Sequence, residues 1–287
     1  MSRGFMKTPF QNQAIYSVLL LTVFSLAAFN ESASAQGIDA RKLKRGREVY
    51  EHYCVVCHGK NGDGKGHLGL VRYTIQRFHK RGLLWYFLPA DFTLGVFKLR
   101  STPTGCLPTD EDLMRTVTMG IPRSGMPSHK VLPEEDRRAV VEYIKTFSER
   151  WQEEEPCDSI SVPRRYAWVG SDTSAEKGKK LYIKLKCWEC HGYTGEGNGP
   201  KADRLVDDRG NKVIPLDFTT GLLKRGLTPE SLYLTFTTGF DGSGMPSYED
   251  SLPDVQMRWH LVSYVLKLMG RTKSITIGSE GTLHAGE

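Results

Sequence analysis

Two short runs concentrate the reactive side chains of this sequence: Cys54-Val55-Val56-Cys57-His58 and Cys187-Trp188-Glu189-Cys190-His191. Each sets two thiols three residues apart, with an imidazole directly after the second. On a helical turn all three fall on one face. Both thiols can then reach the two vinyl groups of a porphyrin while the imidazole meets its metal, which is the spacing of covalent c-type haem attachment. The same residue types could serve as a dithiol redox pair, half a zinc site or a disulfide. Two occurrences, each preceded by a short basic helical stretch and followed by a glycine-rich loop, favour haem.

The elements that must position these groups are duplicated, and the two halves match in order throughout. Gly46-Arg47-Glu48-Val49-Tyr50 and Gly178-Lys179-Lys180-Leu181-Tyr182 lead into the motifs. The loops Gly59–Gly64 and Gly192–Gly197 follow, then Asp91-Phe92-Thr93 and Asp217-Phe218-Thr219. A helix ending at Gly120 or Gly239 precedes Ser-Gly-Met-Pro-Ser at 124–128 and 243–247. Each half closes with Leu-Pro and an amphipathic helix, Asp136 to Phe147 and Asp254 to Met269, with acidic openings that mark N-termini. Tyr50, Tyr143, Tyr182, Tyr264 and the two prolines of the Leu-Pro pairs are expected to pack a helix crossing. The first half carries two extra seven-residue segments, one between His67 and Pro89, the other between Gly95 and Gly120.

The 287 residues suffice for two cores. Arg3 and Lys7, the apolar run Ala14 to Phe29 and Ala33-Ser34-Ala35 read as a cleavable leader over 1–35. That run is shorter than the roughly 20 residues a spanning helix needs, so an exported mature chain with no transmembrane segment is expected. The remaining divisions are a first domain at 36–149, a linker at 150–174, a second domain at 175–270 and a tail at 271–287. The net charge of +6 is only mildly basic and does not point to nucleic acid; a basic face meeting an acidic redox partner is compatible with it. Export makes a disulfide the default for the two remaining cysteines, Cys106 and Cys157.

On these motifs each half resembles a class I cytochrome c domain, and the stretch from Gly46 to Met269 is similar to a tandem dihaem cytochrome c. The resemblance implies an all-α fold of two cytochrome c-like domains, each wrapped around one covalent haem c, with terminal helices crossing and the haem in a slot between loops. Cys54, Cys57, Cys187 and Cys190 would tether the two haems; His58 and His191 would each bind an iron. The opposite ligand is read from the repeat. Met126 and Met245 alone recur as methionines, and a thioether on a Gly-Met-Pro loop stiffened by proline can reach the far side of a flat macrocycle. The competing histidines His52, His67, His79, His129 and His260 have no counterparts in the other copy.

With both axial positions filled, such a site passes electrons rather than doing chemistry. The expected function is electron transfer in the periplasm or an equivalent exported compartment, without catalysis, between a donor and an acceptor redox protein. The chain would act as a carrier or as the wiring subunit of a larger complex. Phe97–Gly105 and Leu107–Asp112 are similar to segments of dihaem cytochromes found alongside periplasmic molybdenum oxidoreductases, which would make such an enzyme the sister subunit. The alternative is a dihaem enzyme, a peroxidase or a thiosulfate-oxidising cytochrome. The insertion holding Arg72, Arg77, Lys80, Arg81 and Leu83–Leu88 reads either as a basic surface loop with aromatics tucked against the haem edge or as a docking surface for a partner.

Overall fold

Acidic first turns and glycine stops define the helices more sharply than their modest propensities do. A computed structural model describes residues 39–68, 89–121 and 124–270, with the backbone of 72–74 and 84–86. The expected leader at 1–35, the tail at 271–287 and His79, Arg77, Lys80 and Arg81 lie outside the described residues. Residues 1–44 and 45–287 form two units. Of the first, residues 39–44 form the opening of a helix, with the Leu43 amide donating to the Asp39 carbonyl at 3.0 Å.

In chain order the nine α-helices among the described residues are α1 (Ala40–Tyr53), α2 (Val55–His58), α3 (Asp110–Met119), α4 (Glu134–Lys145), α5 (Arg150–Glu153), α6 (Asp172–Lys184), α7 (Trp188–His191), α8 (Pro229–Thr238) and α9 (Val255–Leu268). The fold is all-α, with one addition. A short antiparallel ribbon pairs β1 (Arg72–Thr74) with β2 (Leu84–Tyr86) inside the insertion that only the first half carries.

Thr109 caps α3 in a reciprocal capping box with Asp112. Thr228 caps α8, and Pro229 opens it. Both helices end on a glycine with positive φ, Gly120 at 67° and Gly239 at 63°. Two apolar clusters form the cores. One includes Val49, Tyr50, Phe92, Leu113 and Val140; the other includes Tyr182, Phe218, Tyr233, Trp259 and Val262.

In each half the closing helix crosses the helix that leads into the Cys motif, and a glycine makes the crossing close. A Cβ on Gly46 would overlap the Ala139 carbonyl; one on Gly178 would overlap the His260 carbonyl. Tyr50 meets Tyr143 at 5.4 Å between ring centroids, and Tyr182 meets Tyr264 at 5.2 Å. The prolines of the Leu-Pro pairs do not join this crossing. Pro133 and Pro253 are exposed, and it is Leu132 and Leu252 that are buried. A proline there sets the entry into the helix, where its missing N–H costs nothing.

The segment expected as a linker, 150–174, is more ordered than its composition implies. It begins with α5, whose Trp151 packs on the first core, and α6 starts at Asp172. Cys106 and Cys157 are joined in a disulfide with Cα atoms 5.9 Å apart. Among the described residues no helix is long and apolar enough to cross a membrane.

Candidate functional site

Each Cys motif is a single helical turn hung on the end of a longer helix. The His58 amide donates to the Cys54 carbonyl at 2.9 Å, and the His191 amide to the Cys187 carbonyl at 2.9 Å. Tyrosines from the preceding helices tie the motif ends down: Tyr50 donates to the Gly59 carbonyl at 2.8 Å and Tyr182 to the Gly192 carbonyl at 2.7 Å. Neither bond is evident from the sequence, where the tyrosines read only as packing.

The imidazoles are fixed by the Asp-Phe-Thr repeat. His58 Nδ1 lies 3.2 Å from the Ala90 carbonyl, and His191 Nδ1 lies 3.0 Å from the Leu216 carbonyl, the residues just before Asp91 and Asp217. A carbonyl can only accept, so Nδ1 carries the proton and Nε2 keeps its lone pair, the tautomer that a metal ligand needs. Phe92 stacks on His58 at 4.5 Å and 16°, and Phe218 on His191 at 4.6 Å and 19°. The aspartates fix these aromatics by capping the next turn, each accepting from the amide two residues on. Burial pushes both imidazoles below the ordinary histidine range, against the pull of the carbonyl contacts. They are therefore neutral, as ligation requires.

Burial also pushes the Cys54 thiol up to about 12 and the Cys187 thiol to about 11. Among the described residues no group of three or more His, Cys, Asp and Glu side chains could hold a metal ion by itself.

The methionine loops are built alike. The Ile121 amide bonds the Met126 carbonyl at 3.1 Å, and the Phe240 amide bonds the Met245 carbonyl at 3.0 Å. Ser128 and Ser247 tie each loop back to its helix through the Thr118 and Thr237 carbonyls, at 2.7 and 2.6 Å. Gly120 and Gly239 leave room for the returning chain, since a Cβ would come within 2.6 Å of the Met126 carbonyl oxygen or 2.5 Å of the Ser247 nitrogen.

In the second half Cys187, His191 and Met245 line one cavity together with Tyr182, Phe218, Phe236, Tyr248, Leu261 and Val265. Neutral imidazole, thioether, thiol and apolar walls suit a covalently tethered iron macrocycle. In the first half Met126 lies on the equivalent loop, and His129, three residues on, lies within electrostatic reach of His58.

Of the competing histidines, His52 and His67 are exposed. His260 pairs with Ser174 at 2.8 Å and packs on Trp168. His129 differs: its Nδ1 is buried with no hydrogen-bond partner. Trp188, inside the second Cys motif, is half-buried and stacks on Tyr193 at 4.6 Å.

The family model described as cytochrome c oxidase, cbb3-type, subunit III matches the chain twice, at residues 41–144 and 173–265. No curated protein matches. Among solved structures, a chain of the Kuenenia stuttgartiensis reducing HAO-like protein complex Kustc0457/Kustc0458 is similar, with 41% identity and a TM-score of 0.71 over 78% of this chain and 95% of that one.

Proposed function

We propose that this chain, which belongs to the cytochrome c oxidase cbb3-type subunit III family of c-type cytochrome domains, is an exported dihaem electron-transfer protein that works as the wiring subunit of a larger redox complex. The observation that carries this reading is the convergence of Cys187, His191 and Met245 on one apolar cavity, with the imidazole proton already committed to the Leu216 carbonyl. The recurrence of the same contacts in the first half extends the reading to Cys54, Cys57, His58 and Met126, and Cys190 completes the second pair of tethers.

Haem c held between imidazole and thioether supplies one-electron transfer at a raised potential. The protein's part is to keep that environment constant. Phe92 and Phe218 fix the ring planes, the carbonyls of Ala90 and Leu216 fix the tautomers, and the glycine-flanked Met loops would supply the thioether ligands. Aromatic and aliphatic walls keep water out, which limits reorganisation when charge changes. Two alike, fully furnished sites favour transfer over the enzymatic alternative, which needs one iron open or unusually bound.

The similar solved chain belongs to a complex of two named proteins. This supports a sister subunit of HAO-like type over the molybdenum enzyme suggested by the Phe97–Asp112 resemblance. The leader at 1–35 and the divisions at 149, 174 and 270 belong to the same proposal.

Mass spectrometry of the matured protein tests it: the expected result is a chain beginning near Gln36 and heavier by two haem groups. A colourless product of unmodified mass overturns it.

A further inference from the structure

We propose that Asp241 is a positioning residue through which the first half holds the methionine loop of the second, and so sets the ligation of the second site. The inference rests on the reading of Met245 as an axial ligand.

Asp241 lies on the loop between Gly239 and Met245, where the first half has Pro122. Its carboxylate reaches across to the first half and accepts three hydrogen bonds there: from the Arg100 guanidinium at 2.8 Å, from the Thr104 hydroxyl at 2.6 Å and from the Gly105 amide at 2.8 Å. Arg100 is fully buried, and the Asp241 side chain is 17% exposed. Arg100 adds a bond of 3.0 Å to the Thr238 carbonyl, at the end of the helix from which the loop departs. The loop is thus gripped at its root and at its second residue. A charge-assisted cluster of this kind, shielded from water, is directional and strong.

The anchor itself does not give. Asp112 accepts from the Ser101 amide at 2.6 Å and hydroxyl at 2.9 Å. Arg150 donates to the Gly105 carbonyl at 2.9 Å and the Gly95 carbonyl at 2.8 Å. Cys106, next to Gly105, is bonded to Cys157. Residues 101–106 are therefore fixed to α3, to α5 and to the segment beyond it before they meet Asp241. From Asp241 the loop runs only four residues to Met245, through two glycines. Gly242 and Gly244 provide no stiffness of their own, so beside the Phe240–Met245 backbone bond and the Ser247 tie the direction of the thioether depends on what holds the loop from outside. The first-half loop has Pro122 at the matching place, a residue that stiffens a chain by itself.

The test is potentiometric titration of the matured full-length protein, followed by the visible spectrum and by the red charge-transfer band of a sulfur–iron bond. Met245→Ala assigns the wave of the second site. Asp241→Ala is expected to lower that same potential and weaken the band while leaving the other wave in place, because loss of thioether ligation lowers a haem potential. Asp241→Asn, which keeps an acceptor, should recover part of the shift. Unmoved potentials and an undiminished band in folded Asp241→Ala would overturn the proposal.

Should Asp241→Ala fail to accumulate, Thr104→Val removes one of the three bonds without leaving a charge unpaired. A smaller shift confined to the second wave supports the brace, and two unchanged waves overturn it. A wild-type protein lacking a sulfur–iron band would refute the ligand assignment itself, a result distinguishable from failure of the brace.

Discussion

The two halves use the same parts to hold a cofactor and different parts to hold each other. Tyrosine on the motif's last carbonyl, carbonyl on Nδ1, phenylalanine under the imidazole and serine under the methionine loop recur with distances that agree within 0.2 Å. What is not repeated lies between and around these cradles. The disulfide, buried Arg100 and the anchored segment 101–106 belong to the first half; Asp241, which receives them, belongs to the second. His129 faces the first site's surroundings where the second has Tyr248, a residue that lines the cavity beside Cys187. Duplication preserved the chemistry, and the asymmetry joined two copies into one device.

The brace offers the largest effect by which to break this comparison. Arg100→Met leaves the Asp241 carboxylate in a mostly buried place without its cation, and such a loss costs about 3–5 kcal/mol. Guanidinium unfolding followed at each haem should show both halves destabilised; a loss confined to the first would make the brace one-sided. Next comes the disulfide, which closes a sequence separation of 51 residues. Cys106→Ser with Cys157→Ser is expected to cost about 2–4 kcal/mol, read as a lower melting temperature of the first-half transition.

The helix crossings, by contrast, should respond in parallel. Gly46→Ala and Gly178→Ala each force backbone apart and should each cost about 1–3 kcal/mol or more; unequal losses in calorimetry would show that the crossings are not equivalent. The smallest effect separates the halves by pH. Arg45 hydrogen-bonds Asp136 at 2.7 Å through two nitrogens and holds its carboxyl below the usual carboxylate range. The matching positions in the second half are Lys177 and Met257. A depressed carboxyl adds stability above its unfolded pKa of about 4 that disappears as pH falls through the lower folded value. Acid titration by circular dichroism should therefore loosen the first crossing in that range, and Asp136→Asn should remove the difference.

The repeat made much of this legible in the residues alone. Helices expected at 136–147 and 254–269 run over Glu134–Lys145 and Val255–Leu268, because the acidic first turn of one and the Asp254 cap of the other act locally. The same repeat displayed Asp-Phe-Thr without revealing its task, since a carbonyl that fixes an imidazole leaves no mark on the type of residue that carries it. Ala90 and Leu216 share no side-chain chemistry. The pairing of Arg100 with Asp241 spans 141 residues, and a contact present in one copy only is invisible to self-comparison. The ribbon of β1 and β2 was hidden for a similar reason: it lies in an insertion without a counterpart.

The side chains of Cys54 and Cys187, packed against the two apolar cores, carry a consequence for biosynthesis. Thioether formation needs an accessible sulfur and room for a macrocycle to enter edgewise, and packing against the cores restricts access to both sulfurs. Cofactor capture would therefore precede the final collapse of each half. The order in which the two motifs are loaded then governs which half is available to brace the other.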